Sequence, residues 1–176
     1  MKKIILTAIV ALASMTANAQ IWVGGGIGFS HVDYEDFVPK ADATTFYIAP
    51  EVGYTLNDKW DLAIAVGDTY TKPDPGDAVN DFFVNPYARY TFFKTGKVGF
   101  FVDGGFSVTA GDSPTKFNIG LRPGVKFAAS DKVTFVASFG FLGYKSIEDY
   151  STEFGFDFNG NGPLGGGLAF GCYYSF

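Results

Sequence analysis

Large apolar side chains alternate with small or polar ones along most of this chain. Because successive side chains of a strand point to opposite faces, such alternation predicts strands whose two faces meet different surroundings. The last nine residues show it clearly, with apolar side chains at positions 168, 170, 172, 174 and 176. The same period predicts eight strands, roughly at 21–31, 45–56, 59–70, 82–93, 97–110, 116–128, 132–144 and 164–176.

The connections between these strands are predicted to alternate in length. Short turns are expected at Asn57-Asp58, Lys94-Thr95-Gly96 and Ala129-Ser130-Asp131. Longer segments are expected near 32–44, 71–81, 111–115 and 145–163. Barrels of the outer membrane have short periplasmic turns and longer extracellular loops. With an even number of strands, both termini are therefore expected in the periplasm.

The two faces of the predicted strands differ in polarity. One face collects aliphatic and aromatic side chains, with Asp68 as its single charge, and aromatic residues gather near the strand ends. The opposite face is polar and carries most of the ionisable groups. A soluble ligand-carrying barrel has the reverse arrangement, apolar inside and polar outside. The pattern therefore predicts an all-β fold: an eight-stranded antiparallel up-and-down transmembrane barrel.

The first residues have the features of a secretory signal peptide. Lys2 and Lys3 precede an apolar core that begins at Ile4, and Ala17-Asn18-Ala19 fits the rule for cleavage between small residues. We predict a signal peptide at 1–19 and one outer-membrane barrel domain at 20–176. The apolar core is too short to span a bilayer as a helix. No other apolar window is long enough, so strands are the predicted spanning elements.

Particular motifs resemble a known family. The signal, Pro50-Glu51-Val52-Gly53-Tyr54, Pro86-Tyr87-Ala88-Arg89-Tyr90 and the terminal Tyr174-Ser175-Phe176 together resemble the small bacterial outer-membrane β-barrel domain family. Its architecture is that of OmpA and OmpX, and the resemblance covers nearly the whole mature chain. It implies a porin-like barrel in the outer membrane of a Gram-negative cell envelope. It says little about activity, because members of the family have varied roles.

In such barrels a terminal aromatic residue on the closing strand is read as an assembly signal. The resemblance therefore implies that Phe170, Tyr174 and Phe176 are recognised by the barrel-assembly machinery during insertion. The lone Cys172 lies on the same predicted lipid-facing side and cannot form an intramolecular disulfide.

Three prolines fall inside predicted strands. Pro50, Pro86 and Pro123 occupy the second, fourth and sixth strands, and each begins a five-residue repeat of the same phase. Proline removes a hydrogen bond from the ladder, and lipid cannot replace that bond. We therefore expect a ring of bulges or locally broken pairs at one height of the barrel.

The predicted lumen holds three acids and three bases. They are Glu51, Asp61, Asp103, Arg89, Arg122 and Lys126. The interior of an eight-stranded barrel is just wide enough to be filled by side chains, and buried charges need partners. We expect Glu51, Arg89, Asp103 and Arg122 to form one network across the lumen that plugs the barrel. The alternative is a narrow porin-like channel in which the same charges line a path for ions or small solutes.

An excess of acidic residues at the predicted outer end suggests a role in contacts at the cell surface. The long loops, counted with Lys116 at the start of the next strand, hold twelve acidic against four basic residues, within a chain of net charge −5. The predicted function is a structural or surface-interaction role through these acidic loops, and the expected partners are outer-membrane lipids and lipopolysaccharide. An extracellular loop partner is not identified by the sequence, and a monomer is expected. No basic patch exists outside the small periplasmic turns, so binding of nucleic acid is not expected.

Two short motifs are weak candidates for metal binding and for catalysis. Asp157-Phe158-Asn159-Gly160-Asn161-Gly162 matches the first half of a calcium loop, but Leu168 occupies the position of the bidentate carboxylate. His31 is the single histidine, and its neighbour Ser30 should point to the opposite face of the strand. An outer-membrane lipid-modifying enzyme that uses His31 is a third hypothesis. We predict no catalytic residue, no metal and no cofactor.

Overall fold

A computed structural model describes residues 20–34, 41–157 and 168–176. Ten β-strands lie in these residues: β1 (Gln20–Tyr34), β2 (Ala41–Thr55), β3 (Trp60–Asp74), β4 (Val79–Thr95), β5 (Val98–Gly111), β6 (Lys116–Ala128), β7 (Val133–Ser138), β8 (Phe141–Ile147), β9 (Ser151–Asp157) and β10 (Ala169–Ser175). In the same part of the chain, no helix is both long and apolar enough to cross a membrane.

The strands close into a ring of eight. Each strand from β1 to β6 pairs antiparallel with the strand that follows it in the sequence, and β7 pairs antiparallel with β10. The ring closes where β10 pairs with β1, from Trp22 opposite Ser175 to Gly25 opposite Cys172. This arrangement confirms the predicted eight-stranded antiparallel barrel.

The predicted short turns are present at one end of the barrel. Asn57 Oδ1 accepts a hydrogen bond from the backbone N–H of Trp60 (3.1 Å), and Ser130 Oγ accepts one from the N–H of Val133 (3.1 Å). Gly96 has a φ of 54°, a left-handed conformation that a tight hairpin turn requires and glycine adopts without strain. We call this the short-turn end, and both described termini of the barrel lie there.

The prediction of one uninterrupted strand over 132–144 was wrong. Leu121 of β6 pairs with Leu142 of β8, whereas Gly124 of β6 pairs with Ser138 of β7. An advance of three residues along β6 therefore corresponds to four residues along the opposite strand. The extra residue is accommodated at 139–140, where Gly140 has a φ of 71°. A bulge of this kind shifts the alternation by one residue. Regular alternation from Phe135 and Phe139, which are exposed on the outer wall, would place Phe141 there too, but the bulge turns Phe141 into the lumen.

The predicted loop at 145–163 was also wrong in its first part. β8 and β9 form a hairpin there, from Phe141 opposite Asp157 to Ile147 opposite Ser151. β10 begins only at Ala169, and the start predicted at 164 lies outside the described residues.

Strands also run further than predicted beyond the apolar band. The predicted loop at 71–81 shrinks to 75–78, because β3 continues to Asp74 and β4 begins at Val79. Hydrophobic alternation marks only the part of a strand whose outer face is apolar. The backbone ladder continues past that part, where polar side chains stand on both faces, and leaves no such signal in the sequence.

Local breaks in the ladder accompany the three prolines that were predicted inside strands. Pairing is interrupted beside Pro50 between β2 and β3, and beside Pro86 between β4 and β5, with the same register on both sides of each gap. Pro123 lies at the bulge between β7 and β8, where its carbonyl accepts the N–H of Phe139 at 3.0 Å. The structure thus has two broken pairs and one bulge at the prolines.

The outer wall of the barrel is apolar. Exposed aliphatic and aromatic side chains cover it, and they include Leu62, Phe82 and Phe127. Trp60 and Tyr90 pack together near the short-turn end, with their ring centroids 4.7 Å apart. Such an apolar band with aromatic residues at its edges is typical of transmembrane barrels. The buried side chains lie inside the ring, in the lumen.

Candidate functional site in the lumen

Charged residues alternate in sign along four neighbouring strands. Asp61 of β3 lies directly opposite Arg89 of β4, Arg89 lies opposite Asp103 of β5, and Asp103 lies opposite Arg122 of β6. Residues that are opposite on antiparallel strands project to the same side of the sheet. The ladder register therefore places these four inward-facing charges in one row.

Arg89 and Asp103 form the ion pair at the centre of this row. Nε of Arg89 lies 2.7 Å from Oδ1 of Asp103, and Nη2 lies 2.8 Å from Oδ2. Their side chains are 5% and 15% exposed. Two parallel charge-assisted hydrogen bonds fix the guanidinium in one orientation, which a lysine at this position would not do.

The guanidinium of Arg89 also lies over aromatic rings. Its Cζ is 4.0 Å from the ring centroid of Phe101 and 5.4 Å from that of Tyr173. Phe101 is completely buried, and it belongs to a cluster with Trp22, Val136 and Tyr173. We call these four residues and the Arg89–Asp103 pair the lumen plug. Cation–π attraction and burial of apolar surface both stabilise it.

Glycines leave the space in which the plug rings lie against the wall. A Cβ atom at Gly124 would lie 2.7 Å from Cε2 of Phe101, and one at Gly53 would overlap the ring of Trp22. A side chain at either position would displace the ring. Trp22 and Tyr173 were not predicted as plug residues. Their signal was their position on the inward-facing side of the first and last strands.

Glu51 takes different partners from those expected. The hydroxyls of Tyr87 and Tyr173 donate hydrogen bonds to its Oε2, at 2.7 Å and 3.1 Å. Two phenols satisfy this oxygen where an arginine was expected. Glu51 is thereby joined to the plug through Tyr173, which packs on Trp22 with ring centroids 4.4 Å apart.

A second ion pair lies nearer the short-turn end. Lys126 Nζ is 3.5 Å from Oδ2 of Asp61, and Thr55 Oγ1 donates a hydrogen bond of 2.7 Å to Oδ1 of Asp61. Lys126 is partly exposed, so this pair is weaker than the one between Arg89 and Asp103.

Arg122 has no ion pair or side-chain hydrogen bond to any other residue in the described ranges. It lies beside Asp103, whose two oxygens are both bonded by Arg89. Glu51, Arg89, Asp103 and Arg122 therefore share the lumen but do not form the single bonded network that was expected.

The residues of the predicted assembly signal all point outward. Phe170 and Phe176 are 68% and 69% exposed, and Tyr174 packs edge-on against Phe176 at 5.4 Å between ring centroids. The backbone N–H of Phe176 donates to the carbonyl of Ile21 at 3.1 Å, which extends the closing ladder to the last residue. Their recognition by the assembly machinery remains a prediction.

The two weak motifs acquire no further support. Nδ1 of His31 lies 2.8 Å from Oγ1 of Thr44 on the neighbouring strand, and the side chain of Ser30 is outside the described residues. Residues 158–162 of the calcium-like segment also lie outside them. Within the described ranges, no group of three or more His, Cys, Asp or Glu is placed to hold a metal ion.

A closed ring of eight antiparallel strands with an apolar outer wall and a polar interior defines the class of small outer-membrane barrels. The chain belongs to the family described as the outer membrane protein beta-barrel domain, whose model matches residues 4–176. Its place is the outer membrane.

One solved structure with a similar fold is that of Neisserial surface protein A (NspA), with a TM-score of 0.51 and 17% sequence identity. The match covers 91% of this chain and 98% of that chain. At this identity the likeness shows the shared fold alone. No curated protein matches the sequence significantly.

Proposed function

We propose that this protein has a structural or surface-interaction role in the outer membrane and that its lumen is closed to ions. The observation that carries the proposal is the buried Arg89–Asp103 pair lying on the fully buried ring of Phe101. In a ring of eight strands, side chains of this size fill the cross-section. Separating the two side chains to open a path would leave two buried charges without partners, which is unfavourable, so the plug opposes ion passage.

The end opposite the short turns is proposed to carry the contacts with other molecules. There Asp81, which is buried, accepts hydrogen bonds from the backbone N–H of Ser113 (2.9 Å) and from Lys116 (3.5 Å). Asp112 accepts the N–H of Asn80 at 2.9 Å. These bonds hold the 112–115 connection in one conformation. The same end carries an acidic rim of exposed carboxylates, which supports contact with divalent cations that bridge lipopolysaccharide phosphates: Asp77, Asp112, Glu148 and Asp149.

The closed lumen is tested by conductance. The mature chain, refolded and inserted into planar bilayers, is expected to show no stable current steps in symmetric potassium chloride. The control is a Phe101→Ala variant, in which removal of the ring opens the plug and produces steps. Stable steps in the wild-type protein that Arg89→Ala changes or abolishes would show a conducting pathway through the charges, and the channel alternative would replace the plug.

Deletion of Phe176 is expected to lower the amount of folded protein in the outer membrane. The same variant should refold in detergent micelles with nearly unchanged stability, because the ring is exposed and the deletion removes one ladder bond. The measurement compares heat-modifiable mobility on gels for cell envelopes and for refolded protein. A matched control is Phe127→Ala, which removes an exposed ring near the same end of the barrel but outside the predicted assembly signal. Unchanged envelope levels after deletion of Phe176 would contradict the role as an assembly signal.

A further inference from the structure

A cavity of about 350 Å³ lies in the lumen above the plug. Arg89 and Asp103 form its floor, and it extends toward Phe83 and Thr109, near the end opposite the short turns. This volume is in the range of small-molecule sites, which typically measure about 300–1,000 Å³. The plug accounts for the floor of the cavity but not for the groups on its walls.

Two unlike charges face this cavity with bonding capacity to spare. Arg122 has no side-chain partner among the described residues, and Glu51 uses Oε2 for both tyrosines and leaves Oε1 without a described donor. Glu51 is on β2 and Arg122 is on β6, four strands apart in either direction around the ring of eight. The two groups therefore stand on opposite walls of the same cavity.

Neutral polar groups complete the walls. Asn85, Ser107 and Asn118 line the cavity between the two charges. The Oδ1 atom of Asn118 is buried without a hydrogen-bond partner in the described part of the chain. A buried polar atom that lacks a partner is unfavourable, and a ligand that donates a hydrogen bond to it removes that penalty.

We propose that this cavity binds a small zwitterion, an amino acid or short peptide whose free amine meets Glu51 and whose free carboxylate meets Arg122. Arg122 presents the donor geometry that carboxylates prefer. The acidic rim supports a zwitterion over a simple anion, because an anion would be repelled at the entrance. The site does not depend on whether the barrel conducts, since a solute held above the plug need not pass through it.

The test uses the refolded mature chain in detergent micelles with L-alanyl-L-alanine and L-alanine as the two probes. Tryptophan occurs twice, and Trp60→Phe leaves Trp22 as the sole indole, in contact with Tyr173 next to Glu51. Saturable change in Trp22 fluorescence and saturable uptake in equilibrium dialysis are the expected results. Comparison of the two affinities shows whether the cavity prefers a dipeptide or a single amino acid. Dialysis detects binding even where Trp22 does not respond.

Modified probes and protein variants test the contact with Glu51 and the contact with Arg122 separately. N-acetylation should weaken binding through Glu51, and C-terminal amidation should weaken it through Arg122. Arg122→Gln should lower the affinity for the unmodified probe about tenfold or more, with little effect on the amidated probe. Lys94→Gln, an exposed lysine near the short-turn end, is the matched control.

Three outcomes would overturn the proposal. They are no saturable binding of either probe by dialysis, equal binding of the acetylated or amidated derivative, and an affinity that Arg122→Gln leaves unchanged. The derivative comparison is made on the wild-type protein, so it decides the question even if the variant does not fold.

Discussion

Arg89→Ala is expected to destabilise the barrel by about 3–5 kcal/mol. The change removes both hydrogen bonds to Asp103 and leaves its carboxylate buried, with Arg122 beside it but not bonded to it. It also removes the cation that lies 4.0 Å from the ring centroid of Phe101. The measurement is urea-induced unfolding of the protein in lipid vesicles, followed by tryptophan fluorescence and by mobility on gels.

Two variants separate pairing from simple loss of a side chain. Lys126→Ala removes a single ion-pair contact of 3.5 Å from Asp61, whose carboxylate keeps its hydrogen bond from Thr55, and is expected to cost less than Arg89→Ala. Arg89→Met combined with Asp103→Leu removes both charges and should restore much of the stability, because neither member of the pair is left buried without the other. A loss in Arg89→Ala no larger than in Lys126→Ala would contradict the assignment of Arg89 to the plug.

Period-two alternation was sufficient to predict the ring of eight strands. It worked because the wall of a membrane barrel separates two media, so the side chains of Leu62 and Asp61 report opposite environments directly. It failed at Gly140, where one bulged residue inverts the phase and turns Phe141 inward. A bulge depends on how two strands fit together, and a single strand carries no record of it.

The charges of the lumen were predictable as a set but not as pairs. Sequence places Glu51, Arg89, Asp103 and Arg122 on the inward face, but the partner of each depends on side-chain reach across the barrel. Arg89 donates hydrogen bonds to both carboxylate oxygens of Asp103, and the hydroxyls of two tyrosines donate to one oxygen of Glu51. The sequence does not distinguish an inward tyrosine that only fills space from one that donates a hydrogen bond to a carboxylate, so these partners of Glu51 were missed.

Phe101→Ala is expected to cost about 3–5 kcal/mol, the usual range for truncation of a fully buried aromatic ring. The ring fills the centre of the plug, supports the guanidinium of Arg89 and lies against Gly124. Its removal leaves a void between strands that a closed ring cannot collapse to fill. The same urea unfolding measurement in lipid vesicles reports the loss.

Gly124→Val gives the matched test of this packing. Alone, the new side chain overlaps the ring of Phe101 and should destabilise the barrel by about 1–3 kcal/mol. In the Phe101→Ala background the same side chain enters the space that the ring has left, and only its close contact of 2.7 Å with the carbonyl oxygen of Ala137 remains. The double variant should therefore be more stable than the sum of the two single losses predicts, with a coupling of about 0.5–3 kcal/mol. Strict additivity would mean that Phe101 does not lie against Gly124, and the plug as described would have to be abandoned.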